Sequence, residues 1–320
     1  MFLGIEIGGT KLQLGLGEGD GTIAKLWRGT IDPALGGAGI RAEIVRNYPT
    51  LLQSAGLKTS DIRGIGVGFG GPTDDATQST ITSHQIAGWD NFPLAEFLHE
   101  NFGAPAVICN DADVAGLAEA HFGAGKGLSP ISYITVGTGI GGGLIIDGKI
   151  YRGVGRGAAE IGHVRCFFDL LSSSKLGAST LETVASGTGI ASGLKDYIRI
   201  CPERLIGRTR LPLDGPFTAV DVANAARDGD EFGMYIMCDA TGATGEAICT
   251  VIKLLCPRRV IIGGGVSLMG DELFFDPIRK YVAERGFKPF AGLTDIVPAA
   301  LGEEVVVHGA LALARQHFGE

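Results

Sequence analysis

Residues 2–16 read FLGIEIGGTKLQLGL, two runs of apolar or alternating residues on either side of the pair Gly8-Gly9. The pattern predicts two short β-strands joined by a tight turn. The bend contains Gly8, Gly9, Thr10 and Lys11, whose open backbone N–H groups, hydroxyl and ammonium can surround phosphate oxygens. Taken alone, the same four residues also describe an ordinary hairpin. Working outward, a third strand is expected around Ile23–Trp27. A helix follows over Ala38–Leu52, with Ile40, Ile44, Tyr48, Leu51 and Leu52 on one face and Pro49 as a kink or break. Strand IRGIGVGF (62–69), helix LAEFLHENF (94–102), strand AVICN (106–110) and helix ADVAGLAEAHF (112–122) come next.

The order restarts near Pro130. ISYITVG (131–137) and GGLIIDGKIYRG (142–153) flank a second glycine turn, helices are expected within 186–200 and 219–256, and RVIIG (259–263) leads to a helix near 271–285. Such repetition predicts two copies of one topology. A last helix, His308–His317, comes after the second copy and is expected to pack back on the first. The expected lobes are 1–117 with 308–320, and 118–307.

Composition narrows the class. At 320 residues the chain accommodates two cores. Glycine, at 52 residues, is more than twice as frequent as usual, while 45% of residues are hydrophobic and only 13 are proline; disorder is excluded, and the glycines belong to turns and close backbone approaches. A net charge of −8, with no Lys/Arg run, argues against nucleic acid as a partner. The six cysteines are scattered without a CxxC pair, which points to a reducing compartment. No stretch approaches the ~20 apolar residues of a membrane span, and the N-terminus has no basic leader; a cytoplasmic protein is expected.

Three segments carry chemistry. The second turn, VGTGIGGG (136–143), places Gly137, Gly139 and Gly142 at the GxGxxG spacing of a dinucleotide site. That fingerprint must open a helix, whereas the residues after it read as strand with an Asp-Gly turn. Two phosphate-type hairpins suit a nucleoside triphosphate better. Gly263, Gly264 and Gly265 end an apolar strand, the place where open α/β sheets bind ligands, and bare backbone there admits an adenine or ribose. Finally, NDAD (110–113) joins strand AVIC to a helix. Asn110 and Asp111 are both natural helix caps; a carboxylate in that place also stays ionised and can take a proton from a hydroxyl. Glu160, His163 and Glu182, in RGAAEIGHVRC and TLETVASG, are side chains suited to reading sugar hydroxyls, and are equally ordinary surface groups when taken singly.

In order and spacing these segments resemble the ROK family of sugar kinases and repressors. The resemblance runs from GIEIGGTK through GVGFGGPTD, AGWDNFPL, NDAD, VAGLAEAHFG, YITVGTGIGGGLIIDGKIYRG, GAAEIGH, TLETVASG and VIIGGGVS to LGEEVVVHGALALA. It implies an α/β, actin-like ATPase fold of ribonuclease H-like type, whose two lobes share a duplicated strand-strand-strand-helix-strand-helix topology and close on ATP and sugar. It implies Asp111 as catalytic base, with Asn110, Glu160, His163 and Glu182 as ligands of a hexose or amino sugar. Gly9, Thr10, Lys11, Thr138 and Gly139 would hold the phosphates, Gly263, Gly264 and Gly265 the nucleoside. Glu6, where the family usually has aspartate, would help order the magnesium shell. A homodimer is the family expectation. Repressors of the family carry a helix-turn-helix ahead of the first hairpin; here the hairpin starts by residue 2, so DNA binding by that route is not expected. A sugar or nucleotide sensor without turnover is the alternative.

Two further departures from the pattern stand out. Aspartate replaces the usual asparagine at 113. The family's cysteine-rich zinc loop reads here SSKLGAST (173–180), with Ser173, Lys175 and Thr180 where thiolates would be. A structural zinc needs four nitrogen or sulfur ligands, so no zinc site is expected; His163 and Cys166 alone do not rebuild one, and the tautomer of His163 would need another partner.

Overall fold

The computed structural model describes residues 1–83, 85–166, 179–200, 209, 211 and 216–319. Its strands are β1 (Phe2–Ile7), β2 (Lys11–Gly17), β3 (Lys25–Thr30), β4 (Gly64–Phe69), β5 (Thr73–Asp74), β6 (Ser79–Thr80), β7 (Ala106–Asn110), β8 (Ile131–Val136), β9 (Ile140–Ile146), β10 (Lys149–Ile150), β11 (Arg259–Gly263) and β12 (Asp295–Pro298). The α-helices are α1 (Gly36–Ser54), α2 (Leu94–Phe102), α3 (Asp111–Phe122), α4 (Leu181–Ala185), α5 (Gly187–Ile200), α6 (Ala219–Arg227), α7 (Glu231–Leu255), α8 (Asp276–Arg285) and α9 (Val305–Phe318).

Two five-stranded sheets run β3-β2-β1-β4-β7 and β10-β9-β8-β11-β12. Numbered within each sheet, both follow the order 3-2-1-4-5, so the expected repeat is present. In the first, β1 pairs antiparallel with β2 and parallel with β4, and β4 parallel with β7. Contacts divide the chain into two units, Met1–Tyr133 with Gly143–Ala159 and Ala299–Glu320, and Ile134–Gly142 with Glu160–Pro298. The first unit therefore includes the whole of α3 and the segment from Ala299 onward, beyond the limits of 117 and 308 read from the sequence.

In the first unit the period of two along β1 separates two faces. Leu3, Ile5 and Ile7 join a core with Ile40, Ile44 and Tyr48 of α1 and Leu94, Leu98 and Phe102 of α2. Phe2 packs on the other side with Val307, Leu311 and Ala314 of α9, so the last helix does return to the first sheet. Gly4, Gly66 and Gly68 face that helix and let it lie close on β1 and β4. Pro49 neither ends nor splits α1, which continues to Ser54: the proline is exposed, while Tyr48, Leu51 and Leu52 keep the buried face packed. The third strand begins at Lys25 rather than Ile23, because the register with β2 starts at the pair Leu16–Lys25. At the outer edge, on β7, the Ile108 N–H donates to the Gln78 Oε1 at 2.9 Å.

In the second unit Ile134 and Val136 of β8 and Val260 and Ile262 of β11 bury against Ala240, Ala243 and Ile248 of α7. Asp230 caps α7, its Oδ1 accepting from the N–H groups of Phe232 and Gly233, each at 3.0 Å. The helix expected near 271–285 begins with a wide turn over Asp271–Phe275 and is α-helical from Asp276.

Candidate functional site

In the first unit, strand β7 ends at Asn110 and helix α3 begins at Asp111. Asn110 caps the helix: its Oδ1 accepts from the Ala112 N–H at 2.9 Å and its Nδ2 donates to the Gly71 carbonyl at 3.1 Å. One amide proton and one lone pair remain for a ligand. The cap reading of the sequence thus holds for Asn110. It fixes Asp111 at the first position of the helix, where unpaired N–H groups and the helix dipole favour a carboxylate.

The β1–β2 turn comes close to that carboxylate. A β-carbon built on Gly70 would stand 3.4 Å from Asp111 Oδ2, 3.1 Å from the Ile7 carbonyl and 3.5 Å from the Gly8 α-carbon. The turn is closed by the Gly8 N–H donating to the Lys11 carbonyl at 2.9 Å, and Gly9 lies against the Gln85 side chain. Thr10 is exposed at the bend, its carbonyl accepting from the Ile31 N–H at 3.0 Å. Lys11 donates through Nζ to the Glu303 carbonyl at 3.4 Å and lies 3.8 Å from its carboxylate.

Glu6 lies in the middle strand of this group, 8% exposed. Its Oε2 is buried without a hydrogen-bond partner. Burial pushes its carboxyl up to about 7, opposed by Lys11 and reinforced by the charges of Asp111 and Glu303. The structure therefore gathers Glu6, Lys11, Asp111 and Glu303. Sequence reasoning missed Glu303, which sits in LGEEVVVHG with no pattern of its own.

In the second unit the β8–β9 turn is also closed by a glycine amide, the Gly137 N–H donating to the Gly139 carbonyl at 2.9 Å. It is held from three sides. Glu182, in the first turn of α4, accepts from the Ile140 N–H at 2.8 Å. The Gly187 N–H, at the start of α5, donates to the Gly137 carbonyl at 2.7 Å. Gly264 has φ +87° and lies so close to β8 that a β-carbon would stand 2.5 Å from the Val136 carbonyl, so only glycine fits there. Thr138, Gly139, Glu182 and Gly264 are one cluster, with Gly263 at the end of β11 and open space over Gly265.

Glu160 and His163 are both exposed, on a short turn in which the His163 N–H donates to the Glu160 carbonyl at 3.1 Å. This turn is tied to α4 by the Leu181 N–H donating to the Val164 carbonyl at 2.8 Å, and by the Cys166 N–H donating to the Ser179 carbonyl at 3.0 Å. Between these ties lie residues 167–178, including Ser173 and Lys175, outside the described residues. Thr180 caps α4, its N–H donating to the Thr183 hydroxyl at 2.9 Å. Cys166 faces the core, with its thiol 3.8 Å from the Ala243 carbonyl and pushed up to about 11, chiefly by burial and then by the charge of Glu246. Among the described residues no three His, Cys, Asp or Glu side chains form a metal-ligand set, and no helix is long and apolar enough to cross a membrane.

Two buried charges escaped the sequence reading. Glu119, in α3, is 0% exposed and accepts from the N–H groups of Ala124 at 2.7 Å, Ala300 at 2.9 Å and Leu301 at 3.0 Å. Arg152 reaches Asp113 at 2.5 Å and Asp75 at 2.8 Å. The one glutamate of α3, a helix of mostly small and apolar residues, gives no hint of the distant amides it meets, and the arginine of YRG stands among strand-like residues.

Comparison with known proteins brings these features together. The chain matches the sequence model of the ROK family over residues 2–317. It is 33% identical to a glucokinase of Halalkalibacterium halodurans, over 98% of this chain and 95% of that one. It is 30% identical to a glucokinase of Thermotoga maritima, over 99% and 98%. Among solved structures, a ROK family glucokinase from Streptomyces griseus, in complex with glucose and AMPPNP, superposes with a TM-score of 0.77 at 30% identity, covering 98% of this chain and 99% of that one. The repeated 3-2-1-4-5 sheets are the actin-like architecture of these kinases.

Proposed function

Because the chain belongs to the ROK family, we propose that it is an ATP-dependent hexose kinase with Asp111 as the general base. The observation that carries this reading is the place of Asp111: first residue of α3, beside the glycine turn of β1–β2, in the electrostatic reach of Glu6. A carboxylate so placed accepts the proton of a sugar hydroxyl as that oxygen attacks the γ-phosphorus of ATP in line; the bond to the β-bridging oxygen breaks, ADP leaves, and the proton passes from Asp111 to solvent. Asn110, Glu160, His163 and Glu182 bind the sugar. Gly9, Thr10, Lys11, Thr138 and Gly139 hold the phosphates, and Gly263, Gly264 and Gly265 the nucleoside. Positioning by these groups supplies most of the acceleration.

The residues fit a magnesium ion in one respect. The buried Oε2 of Glu6 has no partner, an acceptor suited to a water of the ion's shell. When bound, magnesium neutralises phosphate charge. Glucose is the first substrate to test, since two relatives at 30% identity or above are glucokinases.

The test is ADP release with Mg-ATP against a panel of hexoses and N-acetylated hexosamines. Release with at least one sugar, abolished without it, is expected. Saturable sugar binding with no ADP release for any of them would replace the kinase by a non-catalytic sensor.

A further inference from the structure

Arg152 is 13% exposed at its side chain and Asp113 1%. The guanidinium spans two carboxylates and a hydroxyl. Its Nη1 lies 2.5 Å from Asp113 Oδ2. Its Nε lies 3.1 and 3.2 Å from the two oxygens of Asp75. Its Nη2 donates to Asp75 at 2.8 Å and to the Thr73 hydroxyl at 3.0 Å. The strand pair β5–β6 is fastened to the same segment twice more, by the Asp75 N–H donating to the Gly155 carbonyl at 2.9 Å and by Arg156 lying 3.1 Å from Asp74. All of these residues belong to the first unit.

Asp113 lies in the first turn of α3, two residues after Asp111. That turn is gripped on one side by the Asn110 cap and on another by Arg152. A buried ionised carboxylate is stabilised by pairing and hydrogen bonding, and a planar five-donor fork is suited to holding two carboxylates at once in fixed geometry. The placement of a proton acceptor is sensitive at the scale of an ångström.

We propose that Arg152 is a positioning residue: through Asp113 it fixes the first turn of α3, and with it the carboxylate of Asp111, against the β5–β6 strands. The aspartate at 113 and the arginine at 152 then act as a pair.

Two variants separate positioning from stability. Arg152→Met takes the guanidinium away from the buried Asp113 carboxylate, and should lower both the melting temperature and the yield of folded protein. Asp113→Asn/Arg152→Met removes the carboxylate charge as well and should regain most of the melting temperature. In the double variant kcat should nevertheless stay at least about tenfold below wild type, with the sugar KM within about threefold. Hydrogen exchange of peptides spanning 109–117 should be at least about tenfold faster than in wild type. A double variant with kcat within twofold of wild type, or with unchanged exchange over 109–117, would overturn the proposal. The rate measurement rests on the kinase reading above, whereas the exchange measurement does not. A wild-type protein that phosphorylates no sugar would remove the kinase reading and leave exchange to decide the clamp.

Discussion

Glu182 accepts a hydrogen bond from the backbone N–H of Ile140 at 2.8 Å, and its Oε2 is so near Gly139 that a β-carbon there would stand 2.6 Å away. One carboxylate oxygen therefore braces the second glycine turn while the other is left for a ligand. Substitution should separate the two duties. Glu182→Gln keeps an acceptor for Ile140 and should raise mainly the sugar KM. Glu182→Ala leaves the amide without an acceptor, a loss of ~1–3 kcal/mol, and should raise the KM for ATP as well, by about tenfold. Initial rates over both substrates check this; an alanine variant with wild-type ATP KM would remove the brace.

Asp111→Asn preserves shape and stays compatible with the start of α3, yet removes the proton acceptor. A fall in kcat of roughly 10²- to 10⁴-fold is expected, with sugar affinity by calorimetry within about threefold of wild type. Turnover equal to wild type would disprove the assignment of the base.

Glu6 gives the protein a pH dependence of known sign. Its carboxyl is raised from 4.5 to about 7, first by burial, so the folded state holds a proton that the unfolded state has released. Stability contributed by this group is complete below pH 4.5 and is lost as pH rises through about 7. At about 1.4 kcal/mol per unit, the loss is on the order of 3 kcal/mol. Glu6→Gln should remove this decline. Urea midpoints at pH 5 and pH 8 test it: the wild-type protein should lose more stability between them than the glutamine variant.

Glu119 is the acceptor for three backbone amides, of Ala124, Ala300 and Leu301. Glu119→Ala strands all three, and a loss of at least about 3 kcal/mol is expected. Glu119→Gln, which keeps one acceptor oxygen, should lose less. Chemical denaturation ranks the three proteins; an alanine variant as stable as the glutamine variant would show that the amides find other partners.

Much of the fold was legible because its signals are local. The glycine turns, the apolar strands and helix 94–102 each declare themselves within a dozen residues. What stayed hidden depends on residues far apart in sequence. Pro49 reads as a break until the buried face of α1 outweighs one missing N–H. Asn110 and Asp111 look like interchangeable caps, and only the fold assigns the cap to Asn110. Glu119 meets an amide 181 residues away, and Glu303, through its carbonyl and its carboxylate, meets Lys11 292 residues away, beyond any periodicity. Thr180 reads as the remnant of a ligand loop and is a helix cap.

The amide of Gln78, with its Oε1 on the Ile108 N–H and its Nε2 donating to the Asp75 carbonyl at 3.0 Å, occupies the free margin of the first sheet. β7 is the last strand there, and an uncovered outermost strand is a template on which another chain can add itself. A side chain that lends its carbonyl to that strand competes with any incoming backbone. The glutamine thus fills one of the hydrogen-bonding positions that a further strand would need on that margin.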